Sequence, residues 1–209
     1  LAYVSKCPVM NEVFERDGDM HAETSMLIYG DVEGTHRFEA KAANLMPPYG
    51  GTYVGLARRT GLSEEASQKF LSDWYEHYYG VTIWLKALGK QALSDGYVET
   101  IYGRRRHLPG LFTGKRAHAL RQAQNTPIQG TSADVIKLQM IEASKVALPF
   151  AQIHDELDFY LPEDGLDGAI IEIKRAMEEV DCPFKLKVDV KVGPNLGEME
   201  KWEGAERID

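Results

Sequence analysis

Nine residues, Ala151-Gln-Ile-His-Asp-Glu-Leu-Asp-Phe159, set two adjacent carboxylates at a tip between two apolar half-strands. Ile153, Leu157 and Phe159 suit a buried sheet face, Tyr160 and Leu161 prolong the second strand, and Pro162 ends it. Neighbouring acids on a rigid support repel each other unless a positive charge sits on them. A divalent cation meets that need, and Asp155, with Glu156 beside it, offers the oxygen ligands that Mg²⁺ takes. An ordinary hairpin with an acidic turn fits the same nine residues.

Two further sets of side chains could meet a ligand. Arg37, Lys41, Leu45 and Tyr49 lie four residues apart. Steps of four advance about 400° on a helix, so they form a slanting stripe on one face. Two cations one turn apart make a polyphosphate clamp, Arg as a fork and Lys as a point charge. The apolar Leu45 and the aromatic Tyr49 suit a sugar and a base. Pro47-Pro48 place Tyr49 past the helix end. A solvated Arg/Lys edge of an amphipathic helix would show the same spacing. Arg121, Asn125 and Gln129 repeat the step of four. Such side chains reach the acceptors that every base pair presents in the minor groove, which checks pairing without reading sequence. Polar satisfaction inside a helical pair is the competing account.

These groups need elements to position them. The pattern predicts helices over Asn11–Arg16, His21–Tyr29, Thr35–Met46, Gly51–Thr60, Ser63–Tyr75 with Ser63 as cap, and Val81–Ser94. A hairpin around Gly103 follows, then helices over Lys115–Asn125 and Ile128–Val146 broken at Pro127. After the acidic-tipped hairpin come a helix from Gly165 to Val180 and a strand from Lys185 to Val192. Helices first, then strands mixed with helices, is α+β: a helical lobe attached to an antiparallel sheet with flanking helices.

At 209 residues and 44% hydrophobic, the chain can bury a core in one domain or two small ones. No apolar run reaches membrane-spanning length, so no membrane partner is expected. Cys7 and Cys182 are far apart without metal-type spacing and read as free thiols of a reducing, cytoplasmic compartment. The net charge of −8 argues against nucleic acid, but its distribution argues for it. Thr100 to Ala133 holds no Asp or Glu, while Arg104, Arg105, Arg106, Lys115, Arg116 and Arg121 all fall inside it.

Taken together these segments resemble the C-terminal part of a family A DNA polymerase, the DNA polymerase I type. Arg37, Lys41, Leu45, Tyr49 and Gly50 follow the fingers-helix motif Arg-x3-Lys-x3-aromatic-x3-Tyr-Gly, with Leu at the aromatic position. Gly96 to Pro109 is similar to the hairpin that enters the palm, and Arg121, Asn125, Gln129 and Gly130 fall on Arg-x3-Asn-x-Pro-x-Gln-Gly. His154-Asp155-Glu156 matches the last catalytic motif, and Gly193 to Glu198 resembles the C-terminal segment. The resemblance runs nearly end to end, with the motifs in order.

The resemblance implies a division into fingers (1–95) and the C-terminal part of the palm with the catalytic hairpin (96–209). It implies dNTPs and primer–template DNA as partners. Asp155 would be one of two carboxylates bridging two Mg²⁺ ions, Glu156 an auxiliary acid, and His154 a support for the primer terminus. Lys41 would neutralise the α-phosphate side, and Arg37 and His21 would hold the β- and γ-phosphates. Tyr49 would cover the template base, and Arg121, Asn125 and Gln129 would follow the minor groove. Leu45 stands where the family carries Phe or Tyr, so its contact with the incoming sugar offers less area and no ring face. The family's first catalytic motif would lie just before Leu1, so the expectation is one product of a split polymerase in a bacterial or phage-infected cell. An upstream polypeptide would then supply the other bridging Asp and the thumb, and this chain alone would be inactive. A non-catalytic DNA-binding fragment is the alternative, and a single-subunit RNA polymerase fits less well.

Overall fold

The structure is a computed structural model that describes residues 1–30 and 36–204. Among the described residues about 59% are helical and the strands come as three antiparallel pairs, which makes the fold α+β. The chain forms two compact units, Leu1–Thr131 and Ser132–Asp209.

In the first unit, α1 (Ala2–Ser5), α2 (Pro8–Glu15), α3 (Met20–Tyr29) and α4 (Arg37–Leu45) lead to a 3₁₀ turn at Pro47–Tyr49. Then come α5 (Tyr53–Thr60), α6 (Glu64–His77) and α7 (Tyr79–Asp95). Local chemistry explains the starts. Asp19 caps α3 by accepting from the N–H groups of His21 and Ala22, Thr52 caps α5, and Ser63 caps α6 through the Ala66 N–H at 3.1 Å. Glu64 and Glu65 add favourable charge to the first turn of α6. Leu56, Phe70, Trp74, Tyr78 and Val81 form a buried core with Cys7 and Met10. Trp74 is fully buried, and its truncation to Ala would cost about 3–5 kcal/mol.

The unit continues with the hairpin β1 (Tyr97–Glu99) and β2 (Arg105–His107), a 3₁₀ turn at Pro109–Phe112, and α8 (Arg116–Asn125). Tyr97 pairs with His107 and Glu99 with Arg105. Val98, Leu108 and Leu111 pack with Ala119 and Ala123 of α8 in a second core. Ala119 lets α8 lie close against the Pro109–Phe112 turn, where a Cβ at Gly110 would stand 3.2 Å from the Ala119 Cβ.

The second unit is built on α9 (Thr131–Ala143, its first residue closing the first unit), β3 (Pro149–Ile153), β4 (Glu156–Phe159), α10 (Leu166–Glu178), β5 (Lys191–Val192) and β6 (Glu200–Lys201). Ala143, Ile173 and Met177 form its core, with Leu157, Phe159 and Val188 against it.

Four sequence expectations change. The predicted break at Pro127 is a π-helical turn at Thr126–Gly130, which passes the chain from α8 to α9 by widening the helix. A wider i→i+5 turn accommodates a residue without an N–H. The strand expected over Lys185–Val192 is reduced to Lys191–Val192. Leu186, Val188 and Val190 do alternate with exposed neighbours, but the Val188 N–H goes to Glu178 Oε1 at 2.8 Å, not to a ladder. Ile153 is not on a buried face; it is 49% exposed, and Asp158 is the buried residue of β4. Finally, β4 ends at Phe159, and Tyr160 leaves the ladder to stack on Phe150 at 4.0 Å. The expected start of the fourth helix at Thr35 lies outside the described residues.

Candidate functional site

The cation stripe begins where α3 and α4 meet. Asp19 uses one carboxylate oxygen on the N–H groups of His21 (2.8 Å) and Ala22 (3.3 Å). Its other oxygen accepts from Arg37 Nε and Nη2, both at 2.7 Å. Burial pushes the Asp19 carboxyl up, but the Arg37 bond and the two backbone N–H groups more than offset it and hold it below the ordinary value. His21 is half-buried, and burial pushes its imidazole below the ordinary value; Arg37 and Lys41 add to that, and Asp19 opposes it. Lys41, one turn beyond Arg37, is exposed. Leu45, the last residue of α4, is 40% exposed and stands open to a ligand.

A buried polar network behind these residues was missed by the sequence reading. Asn44 Oδ1 accepts from Trp74 Nε1 at 2.8 Å, and Thr24 Oγ1 lies 2.9 Å from the same oxygen and 3.0 Å from Tyr78 Oη. Asn44 Nδ2 donates to the Met20 carbonyl at 3.1 Å and faces His21 Nδ1 at 3.2 Å. Asn44 thus ties α3, α4 and α6 together beside His21. Its one sequence signal is an amide seven residues after Arg37 and three after Lys41, which places it along the edge of the stripe.

The Asp19 cap carries a pH signature. Asp19→Ala is expected to cost about 1 kcal/mol at neutral pH, the usual price of losing a helix cap. The folded-state carboxyl is depressed, so its contribution is complete above the unfolded value and disappears as pH falls through the folded one. Thermal melts of wild type and Asp19→Ala should therefore converge on acidification. A gap that stays constant into the acid range would show that charge plays no part.

The second stripe meets the end of the first. Gln129 Nε2 donates to Tyr49 Oη at 2.9 Å. Gly50, at φ +69°, lets the chain turn directly under Arg121; a Cβ there would stand 2.9 Å from Arg121 Cγ. Tyr49 sits in the 3₁₀ turn, held from behind by Tyr75 Oη donating to the Pro47 carbonyl at 3.1 Å. Arg121 and Gln129 are exposed, and Asn125 is half-buried, with its Oδ1 lacking a hydrogen-bond partner among the described residues.

The hairpin braces this surface. Arg104 Nη2 donates to the Gly130 carbonyl at 2.9 Å, Arg106 Nη1 to Thr126 Oγ1 at 3.3 Å, and the Ile101 N–H to Thr131 Oγ1 at 3.2 Å. Arg105 pairs with Glu99 at 2.6 Å and lies 4.6 Å above the Tyr97 ring. Arg104, Arg105, Arg106, Lys115, Arg116 and Arg121 are all exposed. The acid-free segment therefore presents all six of these cations to solvent, with Arg105 paired to Glu99.

In the second unit, Ile153 pairs with Glu156, so His154 and Asp155 alone make the turn between β3 and β4. His154 adopts φ +57°, a conformation that side chains other than Gly rarely take, and Gln152 Nε2 donates to its carbonyl at 3.0 Å. His154, Asp155 and Glu156 are all exposed. Among the described residues neither carboxylate has a hydrogen bond or ion pair, and no group of three His, Cys, Asp or Glu gathers as a metal site. Two unpaired hard-oxygen donors on a strand-supported tip fit Mg²⁺ as far as they go. Among the described residues no helix is long and apolar enough to cross a membrane.

The profile of the family described as DNA polymerase family A matches residues 1–202. DNA polymerase I of Lactococcus lactis subsp. lactis (strain IL1403) is 32% identical over 212 residues, which covers 94% of this chain and 24% of that protein. DNA polymerase I of Bacillus subtilis (strain 168) is 34% identical over 212 residues, covering 93% and 24%. Among solved structures, the POL domain of Pol1 from M. smegmatis, in complex with DNA primer-template and dNTP, matches with a TM-score of 0.77 at 29% identity. That match covers 85% of this chain and 34% of the other. The chain spans about a quarter of the length of the two relatives. On the match to nearly its whole length, the chain belongs to DNA polymerase family A.

Proposed function

We propose that this chain is the fingers (1–95) and the C-terminal palm part (96–209) of a template-directed DNA polymerase. The reaction is attack of a primer 3′-hydroxyl oxygen on the α-phosphorus of a dNTP, with cleavage of the bond to the β-phosphate and release of pyrophosphate. The observation that carries the reading is the Tyr49–Gln129 hydrogen bond. It joins the end of the cation-bearing helix to the acid-free surface, so groups suited to a triphosphate and groups suited to a duplex belong to one body.

In this reading Arg37 exchanges Asp19 for the terminal phosphates, with His21 beside it. Lys41 neutralises the α-phosphate side and can give a proton to the leaving pyrophosphate. Leu45 faces the sugar and Tyr49 covers the template base. Arg121, Asn125 and Gln129 contact acceptors along the minor groove, and His154 steadies the primer end. Asp155, with Glu156 nearby, would hold Mg²⁺, which when bound supplies positive charge for the attacking and leaving oxygens. Residues 1–209 contribute one bridging Asp of the pair such a site uses, and in the proposal the other comes from residues outside these 209.

Mixing is the test. The 209-residue chain is expected to extend no primer alone, and to give Mg²⁺-dependent synthesis with a polypeptide bearing an Asp-x-Ser-x-x-Glu-like segment. Robust extension by the chain alone would refute the shared site. Salt-sensitive DNA binding that never yields synthesis in the mixture would leave a DNA-binding fragment instead.

A further inference from the structure

The hydrogen-bond chemistry around Asn44 dictates more than packing. An indole N–H can only donate, and Trp74 Nε1 stands 2.8 Å from one end of the Asn44 amide, so that end is the oxygen. A peptide carbonyl can only accept, and Met20 O stands 3.1 Å from the other end, so that end is the NH₂. The two constraints are independent and agree. The second hydrogen of that NH₂ is left for His21 Nδ1, 3.2 Å away. A ring nitrogen facing an N–H donor has to present its lone pair. Protonating it would set N–H against N–H in a site where Asn44 is buried and cannot turn.

We infer that Asn44 is a positioning residue that holds His21 as the neutral tautomer protonated at Nε2, ready to donate that proton's hydrogen bond to a polyphosphate oxygen. The ligand half of this rests on the reading of His21 as a nucleotide-binding residue. Among the described residues nothing is bonded to Nε2, so its N–H is open to a ligand. Phosphate oxygens only accept, so the opposite tautomer would turn a lone pair toward them. The charged groups facing the ring are Asp19 from its own helix and Arg37 and Lys41 from α4. Asp19 alone favours the imidazolium, and it is already engaged by Arg37 and two backbone N–H groups. Trp74 and Tyr78 of the network add no charge at neutral pH, since burial pushes the Tyr78 hydroxyl further up.

Imidazole nitrogen signals report tautomers directly. In the ¹⁵N-histidine-labelled chain at neutral pH, His21→Gln identifies the His21 signals among the six histidines. The expected result is an unprotonated Nδ1 and a protonated Nε2, with Nε2 moving on addition of inorganic tripolyphosphate. Asn44→Asp keeps an acceptor for Trp74 but replaces the NH₂ by a carboxylate oxygen. It should draw a proton onto Nδ1, which the Nδ1 signal reports directly; an Nδ1 that stays unprotonated in the folded variant would overturn the role given to Asn44. If that variant fails to fold, the wild-type spectrum still decides. A wild-type His21 that is Nδ1-protonated or cationic at neutral pH overturns the inference. An Nε2-protonated ring that tripolyphosphate leaves unmoved overturns the ligand half and, with it, the nucleotide role of His21.

Discussion

Asp155→Asn is expected to reduce primer extension by the reconstituted enzyme to background while leaving primer–template binding within a few-fold of wild type. The substitution trades an anionic oxygen for a neutral amide of the same shape. Asp155 is exposed and, among the described residues, makes no hydrogen bond, and Asn is at home in tight turns, so the hairpin should not move. Its stability effect should stay within about 0.5 kcal/mol, as for other surface positions. In the proposed reading DNA affinity rests on phosphate contacts from the exposed cations between Arg104 and Arg121, which the substitution leaves in place. Extension assays and salt-matched binding isotherms on one preparation separate the two. Near-normal turnover would make Asp155 a turn residue and nothing more.

Lys41→Ala should slow the chemical step by about 10²–10³-fold, the range for removing one preorganised charge stabiliser. Lys41 is exposed on α4 and Ala is the best helix former, so the helix itself should be unharmed. Arg37→Ala differs in kind, because Arg37 also binds Asp19. It should raise the apparent KM for dNTP along with slowing the reaction, and it should lower the melting temperature at neutral pH. Single-turnover rates at saturating and limiting dNTP distinguish ground-state from transition-state contacts. If both variants keep wild-type rates, the stripe is the solvated edge of an amphipathic helix.

Much of this was legible along the chain because it depends on neighbours in sequence. Ser63 as a cap, the hairpin around Gly103, the stop at Pro47-Pro48 and a turn at the His154-Asp155-Glu156 tip, which the structure narrows to His154-Asp155, follow from backbone chemistry within a few residues. The stripes at Arg37–Lys41 and Arg121–Asn125 follow from helical period in the same way. Periodicity was less informative where a partner had to be found. Lys185–Val190 alternates as a strand should, yet a ladder needs a second strand at hydrogen-bonding distance, and the Val188 N–H meets a carboxylate instead.

Ile153 shows the same limit, since an apolar residue at a strand end is buried only if something packs over it. The contacts that give the candidate site its chemistry close over longer stretches of chain. Arg37 reaches Asp19 across 18 residues, Asn44 reaches Trp74 across 30, and Gln129 reaches Tyr49 across 80. Residue types and period determined which side chains could serve phosphate, base pair and metal. Only the packing of α3 on α4 and of α8 on the Pro47–Tyr49 turn decided which of them meet, because hydrogen bonds are made at about 3 Å and a linear pattern carries no distances between its segments.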